Sequence, residues 1–159
     1  MPTVEASLVY KHENRLVQAL RQAGLRLTPQ RLAICRYLSQ SKDHPTAQDI
    51  YQVLKPEYPS LSLATVYNTL ETLVALGAIH ALGDAGDDAT HYDANIEPHI
   101  NLVCIRCHTI IDLPTPTVAQ LEQEAEEKSG FRILGARVVY YGLCPACQSA
   151  EPQGNGYHD

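Results

Sequence analysis

The 159-residue sequence has no long hydrophobic run. Its apolar stretches fall short of the roughly 18 to 20 residues that span a bilayer, and the first residues, MPTVEASLVYKHEN, lack the charged-then-apolar pattern of a secretory signal. We therefore expect a cytoplasmic protein with no membrane partner. The sequence also lacks an evident catalytic nucleophile, a phosphate-binding loop and any internal repeat beyond two Cys-x-x-Cys pairs. These absences weigh against an enzyme.

Basic residues are too few to make the chain positive, since 12 Lys and Arg are outnumbered by 18 Asp and Glu. The imbalance is uneven along the chain. Residues 1–83 hold eight Lys and Arg against six Asp and Glu, whereas residues 84–159 hold four against twelve. This polarity suits a DNA-binding first domain followed by an acidic second one. The alternative is a chance difference between two halves of one globular protein.

The first half has the signals of four helices followed by a hairpin. An apolar stripe with helical spacing predicts a helix over residues 8–23, and Thr28, Thr46 and Ser62 are suitable N-caps for three more, the last two ending near residues 54 and 76. Residues 78–82 and 90–93 alternate like strands around the turn-rich segment GDAGDD. Helices followed by such a hairpin predict a winged helix-turn-helix.

The fourth helix has an outer face suited to DNA. We predict a buried stripe of Leu63, Val66, Leu70, Leu73 and Val74. On the other side we place Thr65, Asn68, Thr69 and Thr72, with Tyr67 at the margin. This face is polar but almost uncharged, which is typical of surfaces that reach base edges, thymine methyls and phosphates. The expected DNA-binding residues are Arg26, Thr65, Tyr67 and Asn68.

The second half predicts a small α/β domain. Strands at residues 100–104 and 110–113 are joined by a cysteine knuckle, an acidic helix follows at residues 118–129, and residues 131–143 return as one long strand or a pair. Such a small sheet would gain stability by pairing with a copy of itself, so we expect a homodimer. The fold class is α+β: a winged helix over residues 1–89, a hinge at 90–98, a dimerisation and metal-binding domain at 99–149, and a disordered tail at 150–159.

The two Cys-x-x-Cys pairs predict a structural zinc site. In a reducing compartment paired cysteines favour bound metal over disulfides. Four thiolates in two knuckles form a closed tetrahedral Zn²⁺ site, for which we assign Cys104, Cys107, Cys144 and Cys147. The alternative, a thioredoxin-like redox pair, normally occurs as a single copy at the start of a helix. Cys35 has no partner in sequence and is expected to be a small buried apolar side chain.

A second set of candidate ligands combines nitrogen with oxygen. His91 and Asp93 are two residues apart, as are His99 and Asn101, so each pair projects to one face of a strand. Asp112 leaves the strand after the knuckle, which returns beside the first. Imidazoles with two carboxylates and an amide oxygen suit Fe(II) or Mn(II) better than a thiolate-loving metal.

These segments together resemble the ferric-uptake-regulator (Fur) family over roughly residues 12 to 147. The resemblance rests on RLTPQRLAI, HPTAQDIY, SLATVYNTLETL, HYD, HINLVCIRC, IID and CPAC, in that order. It implies an N-terminal winged helix that binds DNA, a C-terminal dimerisation domain and a regulatory metal at the hinge. The regulatory ligands implied are His44, Asp93, His99 and Asp112, while the four cysteines of the Cys-x-x-Cys pairs are implied to hold structural zinc.

Within the family the chain looks like the peroxide-stress branch, because Asp93 and Asp112 stand where iron-uptake regulators usually carry Glu. One departure is Asn101, at a position commonly His in that branch, so either the Asn101 carbonyl or His91 is the remaining ligand. The resemblance implies a dimeric repressor, loaded with Fe(II) or Mn(II), on an AT-rich inverted repeat in double-stranded DNA. Peroxide reacting at Fe(II) would oxidise His44 or His99 and release the DNA.

Three other functions remain open at this point. An iron- or zinc-responsive uptake regulator is the alternative within the family. A metalloenzyme with an open position at the mixed site would need a substrate cleft. A zinc-stabilised adaptor that binds protein would use neither DNA nor a second metal.

Overall fold

The structure, a computed structural model, describes residues 3–83 and 86–150. Of the predicted tail at 150–159, all but Ala150 lies outside the described residues. Within the described ranges no helix is long and apolar enough to cross a membrane.

Four helices make up most of the first half: α1 (Val4–Gln22), α2 (Pro29–Gln40), α3 (Ala47–Leu54) and α4 (Leu63–Ala75). The predicted caps are present, because the side chains of Thr28, Thr46 and Ser62 accept backbone N–H groups three residues ahead. Helix α1 begins four residues earlier than predicted, at a cap formed by Thr3. Its first turn is exposed and shows no apolar stripe, so helical periodicity gave no signal for it.

These helices enclose one hydrophobic core. Leu16 and Leu20 of α1 are fully buried and belong to one cluster with side chains from the other three helices of the first half. The largest buried members from the other elements are Ile34, Leu38, Ile50, Leu61, Val66, Leu70, Leu73 and Ile79. Since burying one such side chain contributes about 1.5 to 3 kcal/mol, this core fixes the orientation of α4.

The wing is a short antiparallel hairpin, β1 (His80–Ala81) paired with β2 (Tyr92–Asp93). The predicted strands at 78–82 and 90–93 were too long, because Ala78 and Ile79 pack into the core. The free edge of β2 is taken by the residues before α3: Tyr92 N–H donates to Pro45 O at 2.9 Å, and Thr46 forms a bridge with His91. This pairing brings His44 next to Asp93.

The second sheet has the order β4-β3-β5, from β3 (His99–Cys104), β4 (Ile110–Pro114) and β5 (Val139–Gly142). Strand β3 is antiparallel to β4, with Asn101 opposite Asp112, and parallel to β5, with Asn101 opposite Val139. Two helices flank the sheet, α5 (Thr117–Ser129) and the short α6 (Pro145–Ser149). The elements confirm the predicted α+β class, while the division into domains at residues 89 and 98 stays a prediction.

The strand predicted over residues 131–143 was largely wrong, because only Val139–Gly142 is a strand. In the parallel register, Asn101 of β3 faces Val139, so residues 131–136 lie beyond the start of β3 at His99. Phe131 and Leu134 in this segment are 74% and 88% exposed.

The base and the tip of the wing each have a close neighbour outside the hairpin. The guanidinium of Arg15 on α1 donates to Ala78 O at 2.5 Å and to Ala94 O at 3.1 Å, before β1 and after β2. At the wing tip, Gly86 lies so close to the His108 ring that a β-carbon there would be 3.1 Å from two ring atoms. Arg15 thus binds the base of the wing, and Gly86 near its tip lies beside His108 of the second half.

Candidate metal centres and DNA-binding face

The four cysteines of the two pairs form one cluster. Cys104 ends β3, Cys107 lies in the turn before β4, and Cys144 and Cys147 begin α6. Their sulfur atoms all lie within 4.8 Å of one another, and the Cys107 and Cys144 sulfurs are 3.7 Å apart. Two thiolates bound to one zinc at about 2.3 Å are about 3.8 Å apart, so this spacing fits a tetrahedral zinc site.

Backbone donors around the cluster favour the thiolate form that zinc requires. Hydrogen bonds from the backbone N–H groups of Cys107 and Cys144 lower the pKa of Cys104 to about 5. The Thr109 hydroxyl and backbone lower the pKa of Cys107. Contact with Cys144 and burial raise the pKa of Cys147 to about 12, so this thiol keeps its proton when no metal ion is bound. A bound metal cation would stabilise the thiolate form of all four cysteines together.

Cys35 stands apart from this cluster. It is fully buried in the helical core, where burial and the charge of Glu13 raise its pKa to about 12. The environment matches the apolar role expected from sequence.

Histidine and carboxylate side chains from both halves meet at a second cluster. His44 Nε2 lies 2.6 Å from Asp112 Oδ1 and 4.0 Å from Asp93 Oδ2, and His99 Nε2 lies 2.7 Å from Asp93 Oδ2 and 3.7 Å from Asp112 Oδ1. His44, Asp93 and His99 are buried, and Asp112 is half-buried. The structure therefore places together the four ligands that the resemblance implied. Ligand atoms of His44, Asp93 and Asp112 all lie within 4.8 Å of one another, and His99 adjoins this group through the two carboxylates.

Local folding explains how these side chains converge. His44 precedes α3 and is held beside β2 by the bond between Pro45 and Tyr92. Asp93 ends β2, His99 begins β3, and Asp112 lies on β4 within two strand positions of His99. One ligand thus comes from the helical half, one from the wing and two from the second sheet.

The pKa values of the two imidazoles are governed by the carboxylates. Burial lowers the pKa of His44, but the hydrogen bond to Asp112 and the charges of Asp112 and Asp93 outweigh it, so the net pKa is raised. Burial likewise lowers the pKa of His99, while the Glu97 carbonyl and Asp93 raise it above its usual value. The cluster is built to attract positive charge, either protons on the imidazoles or a metal cation.

Asn101 lies beneath both carboxylates and is 2% exposed. One terminal atom of its amide is 3.0 Å from Asp112 Oδ1 and 3.2 Å from Asp93 Oδ2, and the other is 3.3 Å from Val138 O. Three oxygen-rich side chains and two imidazoles therefore point into one small space. This donor set fits a hard divalent cation such as Fe(II) or Mn(II).

His91 does not face this space. Its Nδ1 is 2.7 Å from the His44 carbonyl oxygen and its Nε2 is 2.8 Å from Asp87 Oδ2. Both ring nitrogens are therefore engaged, and His91 acts on the cluster only through the backbone of His44.

Two contacts around the cluster were missed by sequence reasoning. Asn95 Nδ2 donates to Asp112 Oδ2 at 3.3 Å, and the Glu97 carbonyl oxygen lies 2.6 Å from His99 Nδ1. Both residues lie in the irregular segment between β2 and β3, where no periodicity points to the cluster. Groups that hold a metal-ligating imidazole or carboxylate in this way set its orientation.

A cleft of about 600 Å³ opens beside the second cluster. It is lined by residues of both halves, among them His12, His44, Asp93, Asn95 and Asp112. Small solutes can therefore reach the cluster from solvent.

On α4, the structure exposes most of the predicted DNA-binding face. Tyr67 is 43% exposed, Asn68 is exposed, and Thr65 is half-buried with its hydroxyl 2.9 Å from Ser62 Oγ. Arg26 is exposed just before α2. Thr69 was placed on this face wrongly: it is fully buried, and its hydroxyl donates to Thr65 O at 2.8 Å.

A winged helix joined to a small sheet, with a four-cysteine centre and a histidine-carboxylate centre between the two, defines a class of metal-responsive DNA-binding regulators. The ferric uptake regulator family model matches residues 22–141, and the chain belongs to that family. It is accordingly a transcriptional regulator and not an enzyme.

Individual relatives agree with this assignment. The chain is 38% identical to the peroxide-responsive repressor PerR of Staphylococcus aureus strain Mu50 over 146 residues, which are 92% of this chain and 98% of the relative. The solved structure of the Campylobacter jejuni peroxide stress regulator is 35% identical, with a TM-score of 0.64 over 83% of this chain and 98% of that one. The Pseudomonas aeruginosa ferric uptake regulator with manganese is 27% identical, with a TM-score of 0.67 over 81% and 97%.

Proposed function

We propose that this regulator is a dimeric, metal-dependent repressor that releases its operator DNA in response to hydrogen peroxide. The observation that carries the proposal is the second cluster, in which His44 from the helical half contacts Asp112 of the second sheet. Similarity to peroxide-responsive repressors supports the same function. We place its action in the cytoplasm, on an AT-rich inverted repeat in double-stranded DNA.

The four-cysteine cluster would hold structural Zn²⁺. Cys104 and Cys107 flank the turn between β3 and β4, Cys144 caps α6 and Cys147 lies in it, so one ion would fasten this turn to α6 at one end of the second sheet. Closed four-thiolate sites have no open position for chemistry and contribute directly to folding.

The regulatory metal, Fe(II) or Mn(II), would be held by His44, Asp93, His99 and Asp112. Because these ligands come from different elements, the ion binds well only when the winged helix and the second sheet have this relative position. A ligand that prefers one of two arrangements shifts the population towards it by its differential affinity. Metal binding would thereby favour the arrangement that binds DNA.

An iron ion held there would supply one-electron reduction of hydrogen peroxide, which produces a strong oxidant at the site. His44 and His99 are the imidazoles adjacent to that position, and the cleft gives peroxide access to them. An imidazole that gains an oxygen atom is a poorer metal ligand and no longer makes the same contacts with the carboxylates. Loss of the link between His44 and the second sheet would then free the winged helix.

Hydrogen peroxide treatment of metal-loaded protein tests this function. Fe(II)-loaded protein should lose affinity for an AT-rich inverted repeat in a gel shift, and peptide mass spectrometry should show one added oxygen on the peptide containing His44 or His99. Mn(II)-loaded protein is the control and should largely keep its DNA, because manganese reduces peroxide far more slowly. DNA affinity that follows iron or zinc concentration, with unchanged peptide masses, would instead assign the chain to metal-uptake regulation.

A further inference from the structure

The Asn101 amide lies between a pair of carboxylates and a backbone carbonyl, so its two orientations pair the amide nitrogen with different acceptors. Rotation of the amide by half a turn exchanges its oxygen and nitrogen with little change in shape. In one orientation Nδ2 donates to Asp112 Oδ1 and Asp93 Oδ2, at 3.0 and 3.2 Å. In the other, Nδ2 donates to Val138 O at 3.3 Å and the oxygen is directed at the same two carboxylates.

Each orientation suits a different charge state of the cluster. Without a cation, an amide N–H₂ between the two carboxylates reduces their repulsion, whereas an amide oxygen there would meet only other acceptors. With a cation between the carboxylates, the oxygen becomes a further ligand and the nitrogen keeps a partner in Val138 O. The backbone holds Asn101 between these two groups of acceptors. Its N–H donates to Val138 O at 2.9 Å, and the residue lies opposite Asp112 on the neighbouring strand.

We propose that Asn101 is a specificity-determining residue of the regulatory site, whose amide bridges Asp93 and Asp112 in the metal-free protein and turns to offer its oxygen to the metal. The inference rests on the proposed metal-dependent function. It gives the site two nitrogen and three oxygen donors, a harder set than one in which an imidazole occupies position 101. Oxygen donors suit Mn(II), and imidazoles suit Zn(II).

The same geometry makes the amide a competitor of the metal. A cation entering the site must displace two hydrogen bonds from Asn101 to carboxylates before it gains the amide oxygen. The metal-free protein is stabilised by those bonds, and charge-assisted hydrogen bonds are stronger than neutral ones. Replacing Asn101 should therefore change the metal-free protein as well as the metal preference, two effects that can be measured separately.

Metal affinities of full-length protein, with zinc retained on the four cysteines, test the proposal. Mn(II) and Zn(II) dissociation constants for the regulatory site would be measured by competition with a chelator. Asn101→His should move the ratio of the two constants towards Zn(II) by about tenfold or more, the scale on which changes around a metal alter affinity. Asn101→Asp keeps an oxygen donor and should bind Mn(II) at least as tightly as wild type.

The melting temperature of the metal-free regulatory site provides the second measurement. Asn101→Asp removes the bridging N–H₂ and adds a third carboxylate, so its metal-free form should melt lower than wild type and gain more on adding Mn(II). Asn101→Leu, of similar size, lacks both groups and should lose both Mn(II) affinity and metal-free stability. His12→Ala is the control, because His12 lines the same cleft but belongs to neither cluster, and it should leave the Mn(II) to Zn(II) ratio unchanged.

The outcomes separate the two proposals. If wild-type protein binds Mn(II) but the ratio stays within about twofold in Asn101→His and Asn101→Leu, the role of Asn101 is overturned while the proposed function stands. If wild-type protein binds neither metal beyond the zinc on its cysteines, the proposed regulatory site fails, and the role of Asn101 fails with it.

Discussion

At the scale of single residues, His44 would have the largest functional weight because it is the ligand that the helical half would contribute to the proposed regulatory site. Its ring is buried, its Nε2 faces Asp112, and its Nδ1 has no hydrogen-bond partner among the described residues. Nothing on the helical side therefore competes for this imidazole, and its position is set by the backbone of Pro45 and by His91.

We expect His44→Ala to abolish high-affinity Mn(II) binding at the regulatory site while leaving one zinc per chain. The variant removes the ligand of the helical half without touching the cysteine cluster. Isothermal titration with Mn(II), together with elemental analysis for zinc, would measure both effects. His12→Ala is the control, since His12 lines the same cleft but belongs to neither cluster, and unchanged Mn(II) affinity in His44→Ala would contradict the assignment.

Tyr67 allows a similar separation on α4. Tyr67→Ala should weaken operator binding without changing the metal content or the melting temperature, because the ring is exposed on the predicted DNA-binding face. The residual affinity should still fall as salt rises, through release of counterions from the phosphates. A gel shift at two salt concentrations measures this, and equal affinity of variant and wild type would exclude Tyr67 from the interface.

At the scale of elements, the second sheet depends on the cysteine cluster for its edges. Strand β3 is central and makes backbone bonds to β4 and β5. The turn after β3 meets α6 at the four sulfurs, at the bond from Arg106 to Cys147 O and at the bond from Cys144 N–H to Cys104 Sγ. Removing the zinc would leave two loose connections at one end of the sheet.

Cys104→Ser should therefore release the structural zinc and lower the melting temperature. The serine hydroxyl is a much weaker zinc ligand than a thiolate, and structural zinc contributes directly to the folding free energy. Zinc release can be followed with a chromogenic chelator during thermal unfolding. Cys35→Ser, which alters a cysteine outside the cluster, should keep its zinc even if it is less stable, and zinc retention in Cys104→Ser would refute the assignment.

Sequence reasoning recovered the elements that have local signals and missed those set by tertiary contacts. Caps and apolar spacing were enough for α2, α3 and α4, and the ligand residues followed from their chemistry and the family resemblance. Thr69 was misplaced because a polar residue was assumed to face solvent, although it lies three positions after the buried Val66 on the same side of α4. The extent of β5 was overestimated because strand length here is limited by where β3 begins.

Some hydrogen bonds around the histidine-carboxylate cluster could also not be predicted from the sequence. The engagement of His91 with Asp87 and with the His44 backbone, and the contact of Asn95 with Asp112, join residues brought together only by folding. Composition and spacing identify which side chains are able to bind a metal. They do not specify which of their atoms are already occupied.

At the scale of the whole molecule, large apolar side chains remain uncovered on the second half. Leu134 is 88% exposed, Phe131 74%, and Tyr140 and Tyr141 on β5 59% each. Members of the ferric uptake regulator family form dimers, and a second copy of the chain would cover this surface.

We expect Leu134→Asp to shift the protein from dimer to monomer at low micromolar concentration and to weaken operator binding with it. A buried carboxylate without a partner opposes association. Size-exclusion chromatography with light scattering would report the mass. Val53→Asp is the control, because Val53 is 56% exposed on α3 in the helical half. A Leu134→Asp protein that remains a stable dimer would place the interface elsewhere.

The proximity of Gly86 to the His108 ring would extend the influence of a zinc ion at the cysteine cluster beyond its own sheet. His108 follows Cys107 directly and has a left-handed backbone conformation, with φ of 63°, inside the knuckle that zinc would hold. The wing therefore lies beside a turn whose shape would depend on a zinc ion that the wing itself does not contact. Loss of a zinc ion bound there would disturb this turn, so the proposed structural metal would also help to position the wing.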